Sequence, residues 1–253
     1  MKEHELKDTP HNAFRNGEVG KVSPNITEPT LFTLNGKPVG FYMTLDADSK
    51  AYKALQIANA EFLSDRVPKS TLSRGFGSED TVKQFSTILG SVPAKPHMQR
   101  TYHTQSSVHR HKAANQFITA MMILERESEQ LIKEYAPTIY EQHIIEVGGI
   151  PKEWRLGEMF TSGICNYNIA VKYHIDTANV QNTVNAIYCK RHRATGGNLT
   201  IPAFGLTVEQ ADNSLLVIPV FKHIHGVTDI EARPHGYRNS FIFYPLKAFI
   251  EKK

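Results

Sequence analysis

Cysteine is scarce. The chain of 253 residues has two, Cys165 and Cys189, and a single tryptophan. Two thiols cannot build a disulfide framework, and they exclude zinc ribbons and zinc fingers, which need more cysteines at closer spacing. No apolar run approaches the ~20 residues of a membrane-spanning helix. The opening Met-Lys-Glu-His-Glu has none of the character of a signal peptide. The expectation is a cytoplasmic protein with reduced thiols, no membrane contact and no obligate protein partner. Neither sign of charge dominates: the net charge of +4 permits a polyanionic partner without requiring one. Internal repeats and low-complexity tracts are also missing. What remains is an ordinary globular composition, 40% hydrophobic and 21% charged, in a chain long enough to bury a large core.

The texture changes along the chain. Residues 1–30 are polar, interrupted by Pro10, Pro24 and Pro29, and read as a flexible or draped arm. A hairpin follows, Leu31–Leu34 and Val39–Tyr42 around the turn Asn35-Gly36-Lys37-Pro38. From Asp46 the pattern turns helical, with Tyr52, Leu55, Ile57, Ala58 and Phe62 recurring at helical spacing after an Asp46/Asp48 start. Arg74-Gly75-Phe76-Gly77 reads as a loop, and Ser78-Glu79-Asp80 as the opening of a short helix. The most regular helix spans about Lys112–Tyr135, with Phe117, Met121, Leu124, Leu131 and Ile132 on one face and a break or restart at Pro137. After Trp154 come short β-rich runs: Ile164–Tyr173, Val184–Cys189, Leu199–Ile201, Ser214–Val220 and Tyr237–Tyr244. Several short strands between turn residues suggest a jelly roll. The expectation is an α+β chain. Mainly helical support over 31–155 packs on a double-stranded β-helix over 156–248, the two forming one domain, 31–253.

Chemistry enters at Tyr173-His174-Ile175-Asp176. In extended backbone, residues i and i+2 face the same way, so His174 and Asp176 project together. A third candidate ligand, His225, stands in His225-Gly226-Val227 just after another apolar strand. Two imidazoles and one carboxylate make a facial triad, which leaves coordination positions open on an octahedral Fe(II). With 12 histidines in the chain, a His-x-Asp pair can also arise by chance. Its order and strand context count for more. On the last strand, Arg238, Ser240, Ile242 and Tyr244 share one face. An inward Arg among apolar residues is costly unless it meets an anion, and its planar fork suits the distal carboxylate of 2-oxoglutarate. The alternative is an edge-strand Arg in solvent.

Taken together these residues resemble the TET/JBP family of Fe(II)- and 2-oxoglutarate-dependent dioxygenases. The likeness covers roughly residues 160–248 and rests on four motifs in order: His174-Ile-Asp176-Thr-Ala-Asn179, Gly196-Gly197-Asn198-Leu199-Thr200-Ile201-Pro202, His225-Gly226-Val227 and Arg238-Asn-Ser240-Phe-Ile-Phe-Tyr244. The resemblance implies oxidation of the 5-methyl group of a pyrimidine in DNA, 5-methylcytosine or thymine, to a 5-hydroxymethyl base. It implies Fe(II), 2-oxoglutarate and O2, with ascorbate as an auxiliary in vitro. His174, Asp176 and His225 fall on the iron ligands, Arg238 and Ser240 on co-substrate contacts, Asn179 on a base contact and Tyr244 on an aromatic that stacks on the base. Arg74 matches only loosely an upstream Arg that assists the co-substrate; a surface-loop Arg is the other reading. The cysteine-rich region of the animal members is missing, and Leu246 stands where those enzymes carry a base-contacting His. The compact layout is that of the small microbial or phage members, whose place is the cytoplasm, or the host's.

A duplex base would have to leave the stack to reach the iron. Lys190, Arg191 and Arg193, in the basic run before Gly196-Gly197, are candidates for backbone phosphates, at even standing with a merely solvated loop. A second reading is an AlkB-like oxygenase, or one acting on a nucleotide, small molecule or protein residue. Arg233 precedes Arg238 one residue short of the AlkB two-arginine spacing, and Asn166 or Asn168 would touch 2-oxoglutarate from the preceding strand. A metal-free jelly-roll binding protein or a zinc hydrolase would leave the inward Arg238 unexplained.

Overall fold

The computed structural model describes residues 1–71 and 84–250. Arg74, its glycine-punctuated loop and the short helix expected at Ser78 lie outside the described residues. In chain order the longer elements are β1 (Lys2–Glu5), β2 (Thr30–Leu34), β3 (Lys37–Thr44), α1 (Lys50–Leu63), β4 (Ser70–Thr71), β5 (Phe85–Val92), β6 (Thr104–Gln105), α2 (Asn115–Tyr135) and α3 (Pro137–Val147). The second half adds β7 (Ser162–Tyr167), β8 (Val171–His174), β9 (Asn185–Gly196), β10 (Leu199–Ile201), β11 (Leu206–Val208), β12 (Ser214–Ile218), β13 (His225–Val227) and β14 (Ile230–Tyr244).

Two sheets result. The larger runs β1-β2-β3-β12-β9-β14-β7-β5-β4 with β6 on β5, and the smaller runs β11-β10-β13-β8. These are the two faces of a jelly roll, the larger extended at one edge by β2 and β3 and at the other by β5, all from the N-terminal half. Alternation explains the layering. In β12, Leu215 and Val217 pack under α1 and α2, whereas Leu216 and Ile218 turn toward the smaller sheet. Both faces are covered, which is why that run is apolar throughout. β14 divides likewise: Phe241 and Phe243 join the helical layer, and Arg238, Ser240, Ile242 and Tyr244 line a cavity between the sheets.

Several local expectations hold for visible reasons. Asn35 and Gly36 both adopt left-handed backbone (φ 54° and 70°), as a tight hairpin between right-twisted strands requires. Pro137 opens α3, where its missing N–H is no loss. Three expectations need correction. The cap of α1 is Ser49, whose hydroxyl accepts from the Tyr52 N–H, and not Asp46 or Asp48. Ile57 faces outward, 40% exposed, because the buried stripe runs through Ala51, Leu55, Ala58 and Phe62. The run Ile164–Tyr173 is two strands in different sheets, broken at Asn168, which sits at φ 52°.

The arm is draped rather than free. β1 pairs in parallel with β2, the Asn16 N–H donates to the Tyr173 carbonyl at 2.6 Å, and the Tyr173 N–H donates to the Gly17 carbonyl at 3.0 Å. The segment before Tyr173 is thereby held from outside.

Candidate metal centre

His174 ends β8 and His225 opens β13, and the two are direct partners across that antiparallel ladder. Their rings lie 4.2 Å apart, centroid to centroid. Asp176 follows one turn beyond β8. Its two carboxylate oxygens lie 3.4 Å from His174 Nε2 and 3.8 Å from His225 Nε2. One ligand atom from each of the three falls within 4.8 Å of the others. The backbone fixes the tautomers: His174 Nδ1 sits 2.9 Å from the Lys172 carbonyl and His225 Nδ1 3.0 Å from the His223 carbonyl. A carbonyl only accepts, so each Nδ1 carries the proton and each Nε2 presents a lone pair to the centre. Burial, reinforced by the neighbouring His174, pushes His225 down to about 4, which keeps it neutral. Burial works to raise the Asp176 carboxyl, but the adjoining His174 and His225 rings and the Asn185 amide outweigh it and hold the group below its usual range. Two neutral imidazoles and a carboxylate fit a divalent metal such as Fe(II).

The triad borders a cavity of about 760 Å³. Its floor is the larger sheet, read in rungs. One rung holds Arg238. The next holds Ser86, Asn166, Ser240 and Cys189, paired across β5, β7, β14 and β9. The third is four isoleucines, Ile88, Ile164, Ile242 and Ile187, in the same strands. Tyr244 closes the series.

Arg238 is 2% exposed. Among the described residues it pairs with no carboxylate. Its Nη2 donates to the Gln210 side-chain oxygen, and its Nε has no partner among the described residues. Burial lowers its pKa, against the Cys189 thiol beside it. A buried cation without a counter-charge is expensive, so the guanidinium fits a site that receives an anion. Gly197, at φ 67°, lies against it, and a Cβ there would stand 3.0 Å from Nε. Any side chain in place of Gly197 would crowd the guanidinium, on a backbone at positive φ that disfavours one.

NgTET1, solved in complex with 5mC DNA, matches 95% of this chain and 85% of its own at a TM-score of 0.59 with 12% identity. The fold is that of NgTET1. A 2OG-Fe(II) oxygenase family oxidoreductase from Burkholderia pseudomallei matches over 84% of this chain and 88% of its own, at a TM-score of 0.49 and 10% identity. No protein-family profile and no curated protein sequence matches.

Within this NgTET1-like fold, the residues singled out from sequence separate into two groups. His174, Asp176, His225, Arg238, Ser240, Asn166, Asn179 and Tyr244 all line the one cavity. Asn168 does not; its side-chain oxygen accepts from the Arg238 backbone N–H at 2.7 Å, closing the break between β7 and β8. Asn179 is 6% exposed and its amide donates to Asn185 Oδ1 at 2.9 Å, so its N–H is engaged inside the protein. Lys190, Arg191 and Arg193 are not a loop: β9 continues through them as a ladder with β14. Lys190 Nζ is held by Asp212 at 2.8 Å, Arg191 donates to the Gly196 carbonyl at 2.9 Å, and only Arg193 is exposed. Arg233 is exposed on the outer part of β14 and outside the cavity. The two-arginine arrangement is therefore not assembled.

Three residues were missed. Asn185 donates to Asp176 Oδ2 at 3.2 Å and accepts from Asn179. Gln210 faces Arg238, and Ser86 completes the polar rung. Asn185 had a signal, a polar residue one alternation from Ile187 in an apolar strand; Gln210 and Ser86 had none, because only pairing brings them here.

Proposed function

We propose that the protein is an Fe(II)- and 2-oxoglutarate-dependent dioxygenase that hydroxylates the 5-methyl group of a pyrimidine, 5-methylcytosine or thymine, in DNA. The observation that carries the reading is one cavity walled by both a His174/Asp176/His225 triad and Arg238, a buried cation that meets no carboxylate among the described residues.

His174, Asp176 and His225 hold the metal through two Nε2 lone pairs and a carboxylate oxygen. Arg238 receives the distal carboxylate of the co-substrate, with the Ser240 hydroxyl and the Asn166 amide on the adjoining rung as further donors. Bound together, Fe(II) and 2-oxoglutarate supply oxygen activation and C–H hydroxylation, with succinate and carbon dioxide as co-products. Asn185 steers one oxygen of Asp176, itself steered by Asn179. The isoleucine rung offers a dry apolar platform to a methyl-bearing ring. Tyr244 adds an aromatic face, and burial, aided by Asp176, pushes its hydroxyl pKa up, so it remains a donor at neutral pH. Leu246 lines the cavity where a polar base contact would otherwise stand. The match to NgTET1 supports the fold on which this reading is built.

The test is direct. Purified protein is incubated with Fe(II), 2-oxoglutarate and DNA containing 5-methylcytosine or only thymine, and the digested nucleosides are analysed by mass spectrometry. A 5-hydroxymethyl nucleoside is expected. Succinate formed with every nucleoside unaltered would move the enzyme to another substrate; neither product would remove the oxygenase reading.

A further inference from the structure

Beside the site cavity lies a second, smaller cleft of about 330 Å³. Lys69, Arg100 and Arg110 wall it from three separate segments, and among the described residues no Asp or Glu does. The two spaces adjoin, sharing Ser70, Thr87 and Ile88 in their walls. Ile88, 38% exposed, is the apolar ledge between them and the outermost member of the isoleucine rung.

The cations differ in how far the fold engages them. Lys69 reaches the Ser64 carbonyl and lies 5.2 Å from the centre of the Phe85 ring. Arg100 uses Nε on the Pro93 carbonyl at 2.6 Å, and forms no ion pair among the described residues. Arg110 is exposed and likewise has no ion pair among them. A second observation points to a ligand. Ser106, which lines the same cleft, is 4% exposed, and its buried hydroxyl has no partner among the described residues. Buried hydroxyls are almost always satisfied, so an orphan in a cationic cleft calls for an acceptor from outside.

We propose that this cleft is a phosphate subsite, taking a backbone phosphodiester of the nucleic-acid strand whose base enters the site cavity. The strand's identity rests on the base-oxidation reading above. Arg100, Arg110 and Lys69 supply the charge and Ser106 a neutral donor, while Ile88 separates the phosphate from the base platform. The backbone contact thus moves away from Lys190 and Arg191, which are engaged internally, to a cleft that shares a wall with the cavity. Phosphate contacts of this kind set register without reading sequence.

The experiment measures binding of a fluorescent single-stranded oligonucleotide containing 5-methylcytosine, by anisotropy across a salt series, alongside the nucleoside assay. Arg110→Gln, which breaks no ion pair among the described residues, is expected to weaken binding about fivefold to tenfold at low salt. It should flatten the slope of log K against log salt by roughly 0.7, the value for one single-strand phosphate contact. Ser106→Ala should weaken binding with the slope kept, since it removes no charge. Matched melting temperatures for wild type and variants show that both are folded. Affinity and slope unchanged in Arg110→Gln would overturn the subsite, and base oxidation by the wild type would then leave the functional reading intact. Weakened binding with no oxidised base would keep the subsite and sink the reaction. A wild type that binds no oligonucleotide even at low salt would overturn both.

Discussion

The buried Arg238 guanidinium meets the neutral side-chain oxygen of Gln210 and, among the described residues, no carboxylate. A folded chain that keeps a cation out of water without a counter-charge sacrifices stability, and that sacrifice makes sense only if an anion arrives. Stability and function should therefore be opposed at this position.

Arg238→Met is expected to raise the melting temperature of the protein in the absence of 2-oxoglutarate, by an amount corresponding to about 1–4 kcal/mol. The same variant should lose the co-substrate requirement's saturable range, with apparent affinity for 2-oxoglutarate falling on the order of 10- to 100-fold. Added 2-oxoglutarate with metal should stabilise the wild type and not the variant. Calorimetry with and without co-substrate reads all three; a less stable variant that still responds to 2-oxoglutarate would refute the anion site.

His174→Ala or Asp176→Ala should abolish succinate formation and weaken metal binding by more than the roughly 100-fold that loss of an outer-shell partner causes. Titration with Fe(II) under anaerobic conditions checks this. Undiminished metal affinity in either variant would place the metal elsewhere.

Asn185→Ala tests a positioning residue. It leaves the three ligands in place but frees Asp176 Oδ2 to rotate, so metal affinity should drop about 10- to 100-fold. Excess metal should restore turnover, which a merely unfolded variant would not allow. Asn185→Asp is expected to recover little, because it replaces the amide donor with a second acceptor.

Glu125 lies far from this chemistry, on the inner face of α2, 1% exposed. Burial first, then the adjoining Glu129, pushes its carboxyl up to about 10 from an ordinary value of 4.5. Between those two values the folded protein holds a proton that the unfolded chain has released, so stability falls as pH rises, by about 1.4 kcal/mol per pH unit at most. Below 4.5 the effect vanishes. Glu125→Gln should flatten the melting-temperature profile from pH 6 to 9, with the largest gain at pH 9. Parallel profiles for the two proteins would mean that Glu125 is ionised in the fold.

Much of the site was legible because strands report their faces. The alternation from Tyr237 to Tyr244 placed Arg238, Ser240, Ile242 and Tyr244 on one side before any coordinates, and the structure puts all four in the cavity. Spacing likewise brought His174 and Asp176 together. The basic run at Lys190 misled for a matching reason: a charge cluster shows its density in the sequence but not its neighbours. The turn before β12 delivers Asp212 to Lys190, and β14 pairs alongside, so what looked like a free loop is a half-buried ladder.

By itself the sequence determined local conformation and side-chain direction: the Asn35-Gly36 turn, the amphipathic α2, the inward Arg238, the three side chains of the candidate metal centre. Those follow from backbone sterics and two short periodicities, which act within a few residues. Only the tertiary structure decided which residues share a rung. Ser86 beside Asn166, Ile88 at the head of four isoleucines, Asn185 behind Asp176, Gln210 against Arg238 and the cationic cleft next to them all depend on strand register between distant segments. Register is set by the packing of whole sheets against the helical layer, and no short stretch of chain contains that information.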